Sequence, residues 1–238
     1  MKPSEAIKYM RNLVVKKGKT IKSNSWQGNK PLDNMVEWLN ITIPIDMNCD
    51  YKTECNPSLP WADEHFEERV GGIPLNPPPS HTKWARGTEK YFSGEEKFSH
   101  TYPERFWPKG LMSGGIRFKT GDLNDLINLL KEDRTTRQAY LPIWFPEDLR
   151  AALEGERVPC TIGYHFIIRD NKLYCNYLIR SCDVARHLKN DIYLAIKLAD
   201  YIRNKVDESI KLGTLTFSVV SLHCFKGDIE LIKKGVIK

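Results

Sequence analysis

The 238-residue chain has no apolar run long enough to span a bilayer, and its opening stretch, MKPSEAIKYM, lacks the apolar core of a secretory leader. Both absences point to a cytoplasmic protein, in a host's cytoplasm if the chain is phage-encoded. No two of its six cysteines form a CxxC pair, and their spacing fits no zinc cage, so reduced thiols and no metal site are expected. Repeats, low-complexity tracts and domain linkers are also missing: the LNPPPS segment at 75–80 is extended but too short to separate domains. One domain over residues 1–238 is expected. A concentrated basic tract is absent too. The 36 Lys+Arg and 30 Asp+Glu give a net charge of +6 spread along the chain. That pattern excludes the continuous basic face of a structural DNA-binding protein and makes nucleic acid an unexpected partner, while leaving room for a phosphorylated small molecule.

What is present can build a core: 41% of residues are hydrophobic. Apolar spacing predicts helices over Pro3–Lys16 (Ser4 as N-cap), Asp63–Val70, Leu123–Lys131 and Asp191–Val206, with a helical turn over Pro146–Glu154. Strands are predicted over Thr20–Trp26, Leu39–Ile45, Thr136–Trp144, Thr161–Ile168, Lys172–Ile179 and Gly213–His223. Asp170-Asn171 supplies a hairpin turn between the fourth and fifth. Asn48–Pro60 reads as a loop, and aromatic-rich, proline-broken Lys97–Lys109 as a packed loop or the wall of a pocket for a flat ligand. Helices and strands mix along the chain, which means α/β or α+β.

Few residues carry obvious chemistry. Cys160 follows a proline and has Arg157 upstream. A nucleophilic thiol needs neighbouring positive charge and access, and a structural cysteine is the competing reading. Cys175 and Cys224 sit in apolar strands as small hydrophobes. Arg180-Ser181 is a phosphate-type pair or a surface arginine. Asp191 is a helix N-cap or a carboxylate facing a base, able to accept from a cytosine amino group. His223 ends a strand, where structural histidines are common. Asp63, Glu64, Glu67 and Glu68 form an acidic helix face, and Lys17 and Lys19 flank Gly18 at a helix end.

These signals occur together in one order that resembles the thymidylate synthase superfamily, and within it the cytidylate 5-hydroxymethylase branch. PCTIGYHF is similar to the nucleophile segment, RSCDVARHLKND to the Arg-Ser-x-Asp segment, SLHCF to the His-x-Tyr segment, TRQAYLPIWFPEDL to the phosphate strand that crosses the dimer, and HTYPERFWP to the loop lining the site. The match runs from about residue 97 to 225; the first 60 residues match loosely.

The resemblance implies a mixed β-sheet flanked by helices that dimerises through the sheet. It also implies a one-carbon transfer to a pyrimidine nucleotide with 5,10-methylenetetrahydrofolate as cofactor. Cys160 would add to C6 of the ring, so that C5 attacks the one-carbon unit. Loss of the C5 proton and of tetrahydrofolate, then addition of water, gives the hydroxymethyl product. By the same resemblance Arg180, Ser181, Lys19 and the second subunit's copy of Arg137 hold the phosphate, and His223 the sugar. Asp183 and Trp107 meet the folate, Tyr102 assists proton transfer near C5, and Glu68, with Glu67 next, is the acid/base.

Asp191 decides the branch, because uracil-using members carry Asn there and cytosine-using members Asp. Thr161, where methylating synthases usually have His, and the fifteen residues that follow His223 point the same way. Phe225 replaces the usual sugar-binding Tyr, which leaves deoxyribose versus ribose open, and Gln138 the second arginine, leaving one; dCMP is favoured, with CMP as the alternative. Methyl transfer on the same fold, and a nucleotide- or RNA-binding module without catalysis, are the alternatives.

Overall fold

The computed structural model describes residues 1–24, 31–83, 96–109 and 121–237. Six strands form one sheet in the order β1-β2-β6-β5-β4-β3. They are β1 Lys19–Asn24, β2 Pro31–Asp46, β3 Tyr140–Pro142, β4 Thr161–Arg169, β5 Lys172–Asp183 and β6 Lys211–Phe225. Only the β5–β6 pair is parallel; the other four pairs are antiparallel. The parallel pair needs a crossover, and the long helix α7, Leu188–Val206, supplies it. Its Ile192, Ala195, Ile196, Ala199 and Ile202, with Tyr193, Leu194 and Leu198, are buried, and it packs across β5 and β6.

The mixed sheet flanked by helices agrees with the expected class. The β4–β5 turn is the one expected. Asp170 and Asn171 both take left-handed backbone (φ 49° and 54°), which suits the twist of a two-residue hairpin. Gly163 on β4 is required by close approach, since a Cβ there would meet the Tyr140 side chain and the Leu141 carbonyl of β3.

Several boundaries differ from the sequence expectation. Helix α1 spans Pro3–Lys17 with Lys2, not Ser4, at the N-cap; Ser4 lies within the first turn and bonds Glu54 instead. The 48–60 stretch holds a short helix, α2 (Tyr51–Cys55), because Asp50 caps it through Thr53 N. Helix α3 runs Trp61–Val70, and a 3₁₀ turn at Pro79–Lys83 ends the extended proline segment. Within 97–109, Tyr102–Phe106 form helix α4. Helix α5 (Leu123–Glu132) is capped by Asp122, and α6 is Glu147–Leu153. The strand expected over 136–144 shrinks to β3, because Thr136 closes a turn onto Asp133. Of the Thr20–Trp26 strand, Ser25 and Trp26 lie outside the described residues. Helix α8 (Lys226–Lys233) was not foreseen.

One irregularity positions the site. Along β5 the buried residues are Leu173, Cys175, Tyr177 and Ile179, then Cys182; along β6 they are Leu215, Phe217 and Val219, then Leu222 and Cys224. On β2, Ile41, Ile43 and Ile45 are buried on one side of Asn40 and Val36 on the other. Alternation therefore slips by one residue at the same level of three neighbouring strands. The register stays intact: Leu39 pairs Ser221, and Ser221 pairs Ser181. A slip of one residue swaps strand faces. Arg180 sits at this step, where its N–H also bonds the Cys160 carbonyl at 2.8 Å.

Candidate active site

Tyr102 opens helix α4, which is held by a capping box. Thr101 accepts from Glu104 N, and Glu104 Oε2 accepts from Thr101 N at 2.9 Å. The buried Thr101 hydroxyl also donates to the Leu75 carbonyl at 2.7 Å. Arg105 grips Asp148 of α6 with two bonds of 3.1 and 2.7 Å. So fixed, Tyr102 places its hydroxyl 2.9 Å from Thr161 Oγ1, the residue after Cys160, and Thr161 Oγ1 lies 2.9 Å from the Tyr177 hydroxyl.

Helix α3 closes this side. Arg69 lays its guanidinium 3.9 Å from the Tyr102 ring centroid, with Nη2 2.9 Å from His65 Nε2. Arg69 is 6% exposed, and its Nε is buried without a hydrogen-bond partner. His65 stacks on Trp61 and meets the edge of Tyr102. Burial and the Arg69 charge push His65 down to about 4, so it is neutral near pH 7.

Asp191 sits in the first turn of α7 rather than at its N-cap, which is His187. The capping alternative therefore falls. Asn190 beside it is buried and turned away: its amide is occupied by Ser58 N (2.8 Å) and Ser58 Oγ (3.3 Å). Among the described residues, Asp191 Oδ2 accepts from the weak Cys182 S–H donor, at 3.5 Å. Burial raises this carboxyl to about 7, against the opposing pull of Arg69.

The Cys160 side chain is exposed, yet crowded by protein on its other sides. That crowding pushes the thiol up; Arg180 and Arg157 pull it down, and the Asp191 charge pushes it up again. Arg180 spends Nε and Nη2 on the carbonyls of Pro159 (2.8 Å) and Val158 (3.0 Å), fixing the loop that carries the thiol.

Beyond Arg180 the sheet step gathers polar groups. Ser181 Oγ lies 3.4 Å from His223 Nδ1, and burial lowers His223. Asp183 is buried; its Oδ1 accepts from Ala185 N (2.9 Å) and Arg186 N (3.2 Å), and Oδ2 lies 3.5 Å from Arg186 Nε. Among the described residues, no group of three His, Cys, Asp or Glu could hold a metal ion.

A family model described as Thymidylate synthase matches residues 89–238, well over half of the chain. The chain belongs to the thymidylate synthase family. Two archaeal relatives described as "Putative thymidylate synthase" are each 30% identical. That of Methanococcoides burtonii aligns over 207 residues, 84% of this chain and 80% of its own length. That of Methanosarcina barkeri covers 66% of this chain and 72% of its own. The solved structure of thermostable thymidylate synthase A from Bacillus subtilis superposes with a TM-score of 0.71 over 98% of this chain and 83% of that one, at 13% identity. That likeness shows the fold.

The remaining family-type residues are distributed unevenly. Cys160, Tyr102 and Asp191 converge with Arg69 and Thr161, and Arg180, Ser181 and His223 lie at the sheet step. Glu68 is mostly buried and faces Ser80, accepting from its N and Oγ at 2.5 Å each, with His65 Nδ1 at 3.6 Å. Glu67 is exposed, 3.7 Å from Lys197. Trp107 is buried and donates its indole N–H to the Arg69 carbonyl. Lys19 is exposed on β1, opposite Glu37, which in turn pairs His223. Exposed Arg137 lies at the far end of β4: its carbonyl is 2.9 Å from His165 Nε2, and the neighbouring Ala139 carbonyl accepts from Phe166 N. At about 3.3 Å per strand residue, that is roughly 20 Å from Cys160.

Sequence reasoning missed Arg69, His65 and Tyr177. The helical period could have found the first two, since 65 and 69 are one turn apart on the face that carries buried Ala62 and Phe66 toward the core.

Proposed function

We propose that this chain is a folate-dependent cytidylate C5 hydroxymethyltransferase, converting dCMP, or CMP, to the 5-hydroxymethyl nucleotide. The supporting observation is Asp191: a carboxyl at the base-recognising position, next to the thiol, raised by burial to about 7. A carboxyl that keeps its proton near neutrality presents one donor and one acceptor. Cytosine presents an acceptor at N3 and an amino donor at C4, so the two match. Uracil presents a donor at N3 and an acceptor at O4, which the carboxyl can meet only while it holds its proton; once ionised it still accepts from the cytosine amino group but sets an acceptor against uracil O4.

Recognition and nucleophile are linked through charge. Ionised Asp191 opposes formation of the Cys160 thiolate. A cytosine that holds Asp191 protonated removes that opposition, so that Arg180 and Arg157 act on the thiol alone. Binding the intended base thereby favours the form of Cys160 that attacks C6. Tyr102, one hydroxyl from Cys160's neighbour, stands ready to handle the proton at C5. Glu68 reaches this side through His65, which touches the Tyr102 edge.

At the sheet step, Arg180 would offer Nη1, which bonds none of the described residues, to a phosphate oxygen, Ser181 would offer its hydroxyl, and His223 beside them would meet the sugar. Lys19 adds charge from β1. The Asp183 carboxylate, with Oδ2 outside its backbone cap, fits the N–H donors of a pterin ring, and buried Trp107 would supply apolar wall only, since its N–H is taken. When bound, 5,10-methylenetetrahydrofolate supplies the one-carbon unit.

The working form would be a homodimer. Leu39, Tyr140, Leu178 and Val220 are 38–56% exposed on the strands, an apolar spread on the sheet suited to a second copy. Such a dimer would let Arg137, far from its own Cys160, serve the other subunit.

The names of the archaeal relatives favour a second reading, methyl transfer to dUMP. A competition assay separates the two: dCMP, CMP and dUMP are offered together with 5,10-methylenetetrahydrofolate, and products are weighed by mass spectrometry. The expected product is a hydroxymethylated cytosine nucleotide. A product from dUMP alone would sink the Asp191 argument. Nucleotide binding without any product would point to the non-catalytic module.

A further inference from the structure

Thr161 is fully buried, and so are Tyr177 and Tyr164, at 2% and 1% exposure. A hydroxyl carries one proton and two lone pairs. Thr161 Oγ1 stands 2.9 Å from both the Tyr102 and the Tyr177 oxygens, so it donates to one and accepts from the other. The Tyr164 ring stacks on that of Tyr177 with centroids 4.5 Å apart. Three hydroxyls thus run from the site into the core, in the order Tyr102, Thr161, Tyr177. Burial raises both phenols of the chain, which keeps them neutral.

Such a chain has two senses. If Tyr177 donates to Thr161 and Thr161 to Tyr102, the Tyr102 O–H is released toward the site as a donor. If Tyr102 donates to Thr161, its oxygen faces the site as an acceptor. Rotating the O–H bonds interconverts the two without creating charge. A valine at 161 or a phenylalanine at 177 would break this choice. Arg69, clamped over the Tyr102 ring, keeps the ring still while the hydroxyl changes role.

We infer that Thr161 and Tyr177 are positioning residues for Tyr102: their hydroxyl chain holds its oxygen in place and lets it act in turn as acceptor and donor toward water at the reacting carbon. The inference rests on the proposed reaction for its purpose, in which water takes the C5 proton and later adds to the methylene carbon. The hydroxyl chain itself does not depend on that reaction.

The test therefore has two arms. In the first, protein carrying tyrosine labelled with carbon-13 at Cζ is examined by NMR, the Tyr102 signal being assigned with Tyr102→Phe. Tyr177→Phe and Thr161→Val should each move the Tyr102 signal, and Thr161→Ser should leave it near the wild-type position. A Tyr102 signal indifferent to Tyr177→Phe in a folded variant overturns the inference whatever the enzyme does. In the second arm, turnover of the cytosine nucleotide is measured. Thr161→Val and Tyr177→Phe should lower kcat roughly ten- to a hundredfold with KM little changed, below the full worth of a general acid or base. Thr161→Ser should restore most of it. Equal loss in the valine and serine variants, or a loss in KM alone, also overturns the inference. A wild-type protein with no turnover, but with the expected NMR shifts, would count against the proposed reaction and not against the chain.

Discussion

The two sides of Cys160 are built differently. On the proposed base side, Tyr102, Thr161, Tyr177, Arg69 and Asp191 are drawn from five elements or their edges and locked by buried contacts. On the proposed phosphate side, Arg180 spends two donor nitrogens on the Cys160 loop, the Ser181 hydroxyl meets His223, and the candidate cations Lys19 and Arg137 are exposed. The base side is preorganised, which suits discrimination and catalysis, where misplaced groups cost most. Among the described residues the phosphate side is partial, which the proposed dimer would account for by completing it from a second subunit.

Cys160 belongs to both sides, and removing it should have the largest effect. Cys160→Ala should cut turnover by about 10⁴-fold or more while nucleotide binding survives. Turnover within tenfold of wild type would remove the covalent mechanism.

Next in size is the base side's selectivity. Asp191→Asn should reverse the preference between cytosine and uracil nucleotides by roughly a hundredfold or more, read as the ratio of kcat/KM values. The same variant tests the raised carboxyl. Asp191 goes from an ordinary 3.8 to about 7 on folding. Between those values the unfolded chain ionises first, so wild-type stability falls as pH climbs from about 4 to 7. The Tm of Asp191→Asn relative to wild type should therefore be higher at pH 8 than at pH 4. KM for dCMP in the wild type should also rise above pH 7, as the carboxyl loses the proton it offers N3. A pH-independent Tm difference would mean Asp191 titrates normally.

This contrast also explains what could be read from the sequence. Cys160, Arg180, Ser181 and Asp183 lie on or beside one hairpin, so chain order carries their spatial order. The hairpin itself was legible from Asp170-Asn171 and the flanking alternation. The slip of faces at Arg180 was not, because it needs three strands from distant parts of the chain to step together. Helix α3 shows the limit most clearly. Glu68 and Arg69 are adjacent, about 100° apart around the axis, and only the packed structure says that Arg69 meets Tyr102 while Glu68 meets Ser80. Tyr177 reads as one more buried strand residue until Thr161 is seen beside it.

On the phosphate side, Arg137→Ala should raise KM for the nucleotide roughly tenfold or more, the worth of one charged hydrogen bond. Mixing decides whose site it serves. Dimers formed jointly from Arg137→Ala and Cys160→Ala chains would pair one intact thiol with one intact arginine across the interface. They should recover activity, about a quarter of wild type if subunits assort at random. An activity at low nucleotide no higher than the Arg137→Ala chains alone supply, with mixed dimers demonstrated, would place Arg137 in its own subunit's chemistry or outside it.

Lys19 should matter least. The register puts Lys19, Glu37, His223 and Asp183 in one row across four strands, so Lys19 stands two strands, about 10 Å, from His223. Between them Glu37 carries a negative charge and accepts from Ser221. An exposed cation behind a carboxylate acts through a screened field. Lys19→Ala should raise KM only about two- to fivefold, and the difference should fade as salt is raised. Glu37→Gln should shift KM the other way by removing the opposing charge. An effect of Lys19→Ala as large as that of Arg137→Ala, and insensitive to salt, would mean that β1 folds over the bound nucleotide. The phosphate side would then be completed by movement within one chain rather than by the second subunit.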